Sequence, residues 1–203
     1  MDKSSCATPV NKIRVGVSAC LLGAKVRFDG GHKRNRYVDE VLRDYFEFVP
    51  LCPEVAVGLG TPRQPIRLLG TADTPRVVGT RDPQLDVTDA LRGYGRSVAQ
   101  QHGDLCGMIV KQGSPSCGME RVKVYHAQSG HPVESSAGMF AATLMRRLPE
   151  LPVKYGDYAA WQRGQLSGDE LERQLAYWRS RLSGVSSQES TMSRRDDMVF
   201  ASK

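Results

Sequence analysis

Three apolar runs in this chain each hand over to a cysteine at a point where the backbone must turn. Ile13-Arg14-Val15-Gly16-Val17-Ser18 leads into Ala19-Cys20, and Phe48-Val49-Pro50-Leu51 leads into Cys52-Pro53. Residues 105–110 lead into Gly113-Ser114-Pro115-Ser116-Cys117-Gly118. Runs this short and apolar read as buried strands, and the Gly and Pro that follow end each ladder and turn the chain. Between the runs, apolar residues recur at helical spacing: Val38, Val41, Leu42 and Tyr45, then Leu91, Tyr94 and Val98, then Ala137, Phe140, Leu144 and Leu148. Strands alternating with helices predict an α/β fold, with three layers and a largely parallel sheet flanked by helices. In such a sheet ligands collect beyond the C-terminal strand ends, where these thiols stand.

Smaller features fill in the order. Residues 67–69 and 76–79 suggest a short hairpin or edge pair, and residues 121–125 another strand. Gly130-His131-Pro132 reads as a turn, Ser135 or Ser136 as the cap of the last helix, and Leu151-Pro152-Val153 as a final strand. Asp86 or Thr88 caps the middle helix, which Gly93 and Gly95 weaken. The expected organisation is a disordered N-terminus over residues 1–12 and a domain over 13–154. An amphipathic helical tail follows over 155–184, carrying the stripe Leu171, Leu175, Trp178 and Leu182, and then a Ser-rich disordered end over 185–203. A domain of ~150 residues buries roughly 70% of its unfolded surface, enough to stand alone.

Composition excludes several classes. No apolar run approaches the ~20 residues of a membrane span, and the polar start lacks a signal-peptide core, so a cytoplasmic protein without membrane contact is expected. Five cysteines, none spaced Cys-x-x-Cys, fit neither a disulfide scaffold nor a zinc ribbon. The net charge of +6 lies wholly in residues 1–154, because residues 155–203 hold seven basic and seven acidic side chains. Residues 25–36 carry five basic residues against Asp29, either a solvated loop or an electropositive funnel for an anionic or electron-rich planar ligand.

A lone cysteine is most often a plain core residue. Cys106, inside an apolar run, is expected in the core, and Cys6 in a loose terminus. Cys20, Cys52 and Cys117 differ because all three close strands at the same kind of edge. Three thiolates suit zinc, copper(I) or an iron–sulfur cluster, and three protein ligands with one open position mark a catalytic centre. A [4Fe–4S] cluster on three cysteines keeps one iron open as a Lewis acid. Glu54, two residues from Cys52, would share that edge. Burial there would raise its pKa and fit it to pass a proton, although a lone glutamate is usually a surface carboxylate. Ser114 and Ser116 either close turns or assist catalysis, Ser114 being the better placed to meet a ligand or water.

Over residues 13–153 the chain resembles the thiouracil desulfurase (TudS-like) family. The resemblance rests on Ser18-Ala19-Cys20-Leu21-Leu22-Gly23, on Val26-Arg27-Phe28-Asp29-Gly30, on Cys52-Pro53-Glu54 with Gly58-Leu59 and Pro62-Arg63, and on Lys111-Gln112-Gly113-Ser114-Pro115-Ser116-Cys117-Gly118. It implies a [4Fe–4S] cluster held by Cys20, Cys52 and Cys117, with the fourth iron taking the sulfur of a thiolated pyrimidine. It implies non-redox desulfuration of thiouracil to uracil, with acid–base work at Glu54 and support from a serine of the Ser114-Pro115-Ser116 turn. Arg27, Asp29, Lys33 and Arg63 are the candidates to fix the substrate ring. Some relatives carry an extra helical domain thought to serve thiolated RNA. No such domain is expected here, which favours a small thiolated pyrimidine over tRNA and leaves the sulfide acceptor unassigned. The competing reading is a non-catalytic iron–sulfur or zinc sensor or binding module. Residues 155–184 resemble a piece of a peptide-synthetase condensation domain, without its His-His-x-x-x-Asp motif, and read as a fusion remnant.

Overall fold

A computed structural model describes residues 12–155 and Ala176 of the chain. Two units divide the chain, Met1–Asp157 and Tyr158–Lys203, and the elements below belong to the first. The disordered ends and the amphipathic stripe expected from sequence lie outside the described residues.

Four strands form an all-parallel sheet in the order β2-β1-β5-β8: β1 (Ile13–Ser18), β2 (Phe46–Leu51), β5 (Gly107–Val110) and β8 (Val153–Tyr155). Ile13 pairs with Phe46 and Ser18 with Leu51, so β1 and β2 end level, and Val17 pairs with Ile109 on the other side. On one face Val15 and Val17 pack with Leu21 and Val38, closed over by Leu42, Phe46 and Phe48. Gly16 points the other way, where an added Cβ would meet Met108 Sδ at 2.5 Å. At the expected helix, Tyr37–Val41 forms a wide π-helical turn and Leu42–Asp44 a tight 3₁₀ turn.

The expected hairpin is present as β3 (Ile66–Leu69) and β4 (Arg76–Gly79), antiparallel, but it belongs to a second sheet of order β4-β3-β6-β7. Here β6 (Val122–Tyr125) runs parallel to β3, and β7 (Pro132–Ser136) antiparallel to β6. Ile66, Leu68, Val122 and Val124 bury one face against Leu91 of α2 (Thr88–Gln101) and Met139 of α3 (Met139–Arg147). The period of two then turns Arg67, Lys123 and Tyr125 to the other face.

Two local expectations are corrected. Ser135 and Ser136 lie in β7, and Gly138 stands at the N-cap of α3. No side-chain cap is needed, because the N–H groups of Gly138, Met139 and Ala141 donate to the carbonyls of Gly118, Pro115 and Ser116. The Gly113–Gly118 loop therefore caps the helix with its own backbone. Cys106 is exposed, not in the core. It precedes β5, at the sheet edge away from the strand ends, and its N–H donates to Arg14 O. The helix forms despite Gly93 and Gly95, and Gly95 has a packing role in it. A Cβ there would stand 2.9 Å from Thr143 Cβ, so only glycine lets α2 and α3 approach this closely. The Asp86 carboxylate does serve the start of α2, accepting the Thr88 N–H at 2.9 Å.

Candidate active site

Because β2, β1 and β5 are neighbours and parallel, their C-terminal ends open on one edge, a strand spacing of about 4.8 Å apart. The residue after β1 starts a helical turn, Ala19–Leu22, that carries Cys20 and closes at Gly23 with φ 88°. β2 delivers Cys52, and Pro53 occupies the first position of α1 (Pro53–Ala56), where its fixed φ and missing N–H suit a helix start. β5 leads into the loop bearing Cys117. Its path is fixed by Gly113 at φ 69° and by Gly118, whose Cβ would collide with Ser114 O at 2.9 Å.

The three cysteines line one cavity of about 580 Å³, together with Glu54, Ser114, Arg27 and Arg63. Each thiol is held above its ordinary pKa. Burial is the main cause for Cys20 and Cys52, and the charge of Cys52 adds to it at Cys20. Cys117, a buried thiol, is pushed up to about 12 by burial and then by Glu54, against a hydrogen bond from Ser18. The thiolates of Cys52 and Cys20 raise Cys117 further, so the three sit close enough to oppose one another's ionisation. An array of this kind is relieved by a multiply charged soft cation, whose binding expels the thiol protons. Among the described residues no three Cys, His, Asp or Glu side chains converge tightly enough to grip a single ion. Three soft thiol donors lining one cavity suit, by their chemistry, either a soft metal ion or an iron–sulfur cluster.

Glu54 is held at both oxygens. Arg63 donates Nε and Nη2 to Oε2 at 3.0 and 2.7 Å, and Ser116 Oγ donates to Oε1 at 2.5 Å. The pair is enclosed, with side-chain exposures of 5% for Arg63 and 15% for Glu54. Arg63 also binds Gly60 O, Thr61 Oγ1 and Val26 O, so its fork is spent on the scaffold. Ser116 is wholly buried. Ser114 Oγ accepts the N–H groups of Ser116 and Cys117 and lies 3.1 Å from Ser116 Oγ. Since the Ser116 proton is committed to Glu54, Ser114 donates in that contact. A hydroxyl relay thus runs from the cavity wall to the carboxylate.

The remaining candidates separate. Arg27 lines the cavity, pairs with Asp29 at 3.4 Å and covers the Phe28 ring. Asp29 is exposed and closes its own loop by accepting the Gly31 N–H. Lys33 is exposed and outside the cavity lining; its contribution is a main-chain bond to Cys20 O. Sequence reasoning missed the opposite wall, which comes from the second sheet: Arg67, Lys123 and Tyr125, with Arg121 beside them. Arg67 stacks over Tyr125, and its Nε is buried with no hydrogen-bond partner among the described residues. The cation on the open pleat of Ile-Arg-Leu-Leu or Val-Lys-Val-Tyr is the only trace of this wall in the sequence, and it reads as a solvated face.

A solved structure described as [4Fe-4S]-dependent thiouracil desulfidase TudS is 32% identical, with a TM-score of 0.53, over 72% of this chain and 92% of that one. The uncharacterized protein YbbK of Bacillus subtilis (strain 168) is 31% identical over 108 residues, 50% of this chain and 71% of that protein. Linear gramicidin synthase subunits C and D of Brevibacillus parabrevis match 39 and 46 residues at 60% and 51% identity. The chain spans 1% or less of those two synthases, which fits the short peptide-synthetase resemblance. The 2-thiouracil desulfurase family description matches residues 15–155, and the chain belongs to that family.

Proposed function

We propose that this cavity carries out the hydrolytic, non-redox desulfuration of a thiolated pyrimidine. The observation that supports it most is a carboxylate clamped between Arg63 and Ser116 in the same cavity as three thiols. A [4Fe–4S] cluster would be held by Cys20, Cys52 and Cys117, and when bound it supplies a soft Lewis acid for the thione sulfur at the iron no cysteine holds. In the net reaction a thiocarbonyl and water give a carbonyl and hydrogen sulfide. The carbon keeps its oxidation state, and no external electrons are needed.

Glu54 Oε1 takes a proton from water as it adds at the ring carbon and returns it to the departing sulfur, while the hydroxyls of Ser114 and Ser116, donating toward the carboxylate, hold that oxygen in place. Arg63 keeps Oε2 fixed, so the carboxylate presents one oxygen in one direction. Arg27 and Arg67 line the cavity and offer guanidinium donors to ring carbonyl oxygens. Tyr125, with Arg67 against it, provides a flat surface for a ring. No helix among the described residues is long and apolar enough to cross a membrane.

The test is anaerobic reconstitution with iron and sulfide, followed by loss of thiouracil absorbance and release of sulfide. A brown protein that turns over thiouracil is the expected result. A brown protein inert toward thiolated bases and nucleosides overturns the enzymatic reading in favour of a binding or sensing module. A colourless one that binds zinc overturns the cluster.

A further inference from the structure

A second concave site lies on the helix layer, and its chemistry is unrelated to sulfur. Arg92 and Arg96, one turn apart on α2, and Arg146 and Arg147, at the end of α3, surround a cavity of about 330 Å³ with Thr143 at its base. The two helices run side by side in the same direction, since Arg92 meets Met139 and Gly95 meets Thr143. The missing Cβ of Gly95 permits this close approach of the helices, and the four arginines line the hollow beside it.

Among the described residues little offsets that charge. The only carboxylate among the described residues paired with any of the four is Asp89, 3.3 Å from Arg92 and itself 95% exposed, so that contact is screened by water. Arg92 spends its Nε on Met139 Sδ, a weak acceptor. Thr143 turns its proton inward to Met139 O. Arg146 and Arg147 sit where a helix dipole favours cations, but Arg92 and Arg96 lie past the first turn of α2, where it does not. Four like charges gathered around one hollow oppose one another until an anion enters.

We propose that this groove binds a multiply charged phosphate group, a site separate from the desulfuration cavity. Planar guanidinium forks match phosphate oxygens in pairs, and several forks around one hollow suit a diphosphate or successive phosphates of a nucleic-acid strand better than a single carboxylate. The proposal stands whether or not the chain desulfurates pyrimidines.

The experiment is calorimetric titration of the full chain with pyrophosphate, and separately with a short single-stranded RNA free of thiolated bases. The wild type is compared with the double variant Arg96→Gln/Arg147→Gln and the charge-preserving Arg96→Lys/Arg147→Lys, with thermal melting as the check on folding. Saturable binding that weakens about tenfold or more in the Gln variant, and less in the Lys variant, is expected, the scale of one or two lost charge-assisted hydrogen bonds. If both probes behave this way, the groove takes a compact diphosphate. If only the RNA does, it reads successive strand phosphates, and its affinity falls steeply with salt. Failure of both probes to bind the wild type overturns the proposal. So does equal binding by a well-folded Gln variant, which would move the anion to the cationic wall of the other cavity.

Discussion

The two walls of the large cavity were built by opposite routes. On the parallel-sheet side, chemistry sits in the turns that end β1, β2 and β5, where Gly and Pro interrupt the sequence and announce themselves. On the mixed-sheet side, it sits on the open faces of β3 and β6, as Arg67, Lys123 and Tyr125 in otherwise ordinary alternating strands. The first wall positions groups by backbone and holds them under tight sterics, while the second presents long side chains from a flat surface. The parallel side is therefore expected to govern whether the reaction happens at all, and the mixed side how well a substrate is held.

The sharpest way to break this contrast is to remove the thiols. Cys20→Ala, Cys52→Ala and Cys117→Ala should each lose the brown colour, the iron content and all turnover, while the exposed Cys106→Ala keeps all three. Retained iron in any of the first three would show that the strand ends do not act as one site. Next in size comes the clamp. Glu54→Gln should keep its colour but lose kcat by about 10²- to 10⁴-fold, the usual scale of general acid–base catalysis. Arg63→Met should lower kcat as well and cost about 3–5 kcal/mol in melting experiments, because a buried carboxylate then lacks its partner. If Arg63→Met melted normally, Glu54 would not be held as argued.

The mixed side should respond more mildly. Lys123→Gln should leave colour and kcat intact and raise KM by up to about tenfold, or about 1.4 kcal/mol of binding. A fall in kcat instead would erase the distinction between the walls. The smallest effect concerns the segment after the Cys20 turn. The Asp39 carboxyl is held below its usual pKa by hydrogen bonds from Arg43 and then Arg34, against some desolvation. A depressed folded-state pKa adds stability above the unfolded value of about 3.9, and that increment disappears as pH falls through the folded value. The melting temperatures of wild type and Asp39→Asn should thus differ at neutral pH and converge as pH drops below about 4. Turnover at neutral pH should be unchanged.

Legibility followed the same division. The strand-end cysteines, Glu54 and the two serines could be picked out because residues that end a strand in a tight turn leave a mark in Gly and Pro. The second sheet's separateness could not. A four-residue strand such as Ile66–Leu69 has no local sign of which neighbour it will pair with. β7, with the polar sequence Pro-Val-Glu-Ser-Ser, is a strand only because β6 supplies its hydrogen bonds. Cys106 misled because an apolar run says which residues dislike water, not where pairing begins.

By itself, then, the sequence determined the α/β alternation, the parallel arrangement of the cysteine-bearing strands and the identity of the thiols at their ends. Those follow from periodicity and from turn chemistry, both of which act over a few residues. Only the tertiary structure decided that Arg63 is spent on Glu54, that Lys33 stays outside the cavity, and that Arg67, Arg121 and Lys123 close its far side. Such outcomes depend on which distant backbones come within a side chain's reach, and local pattern carries no record of that distance.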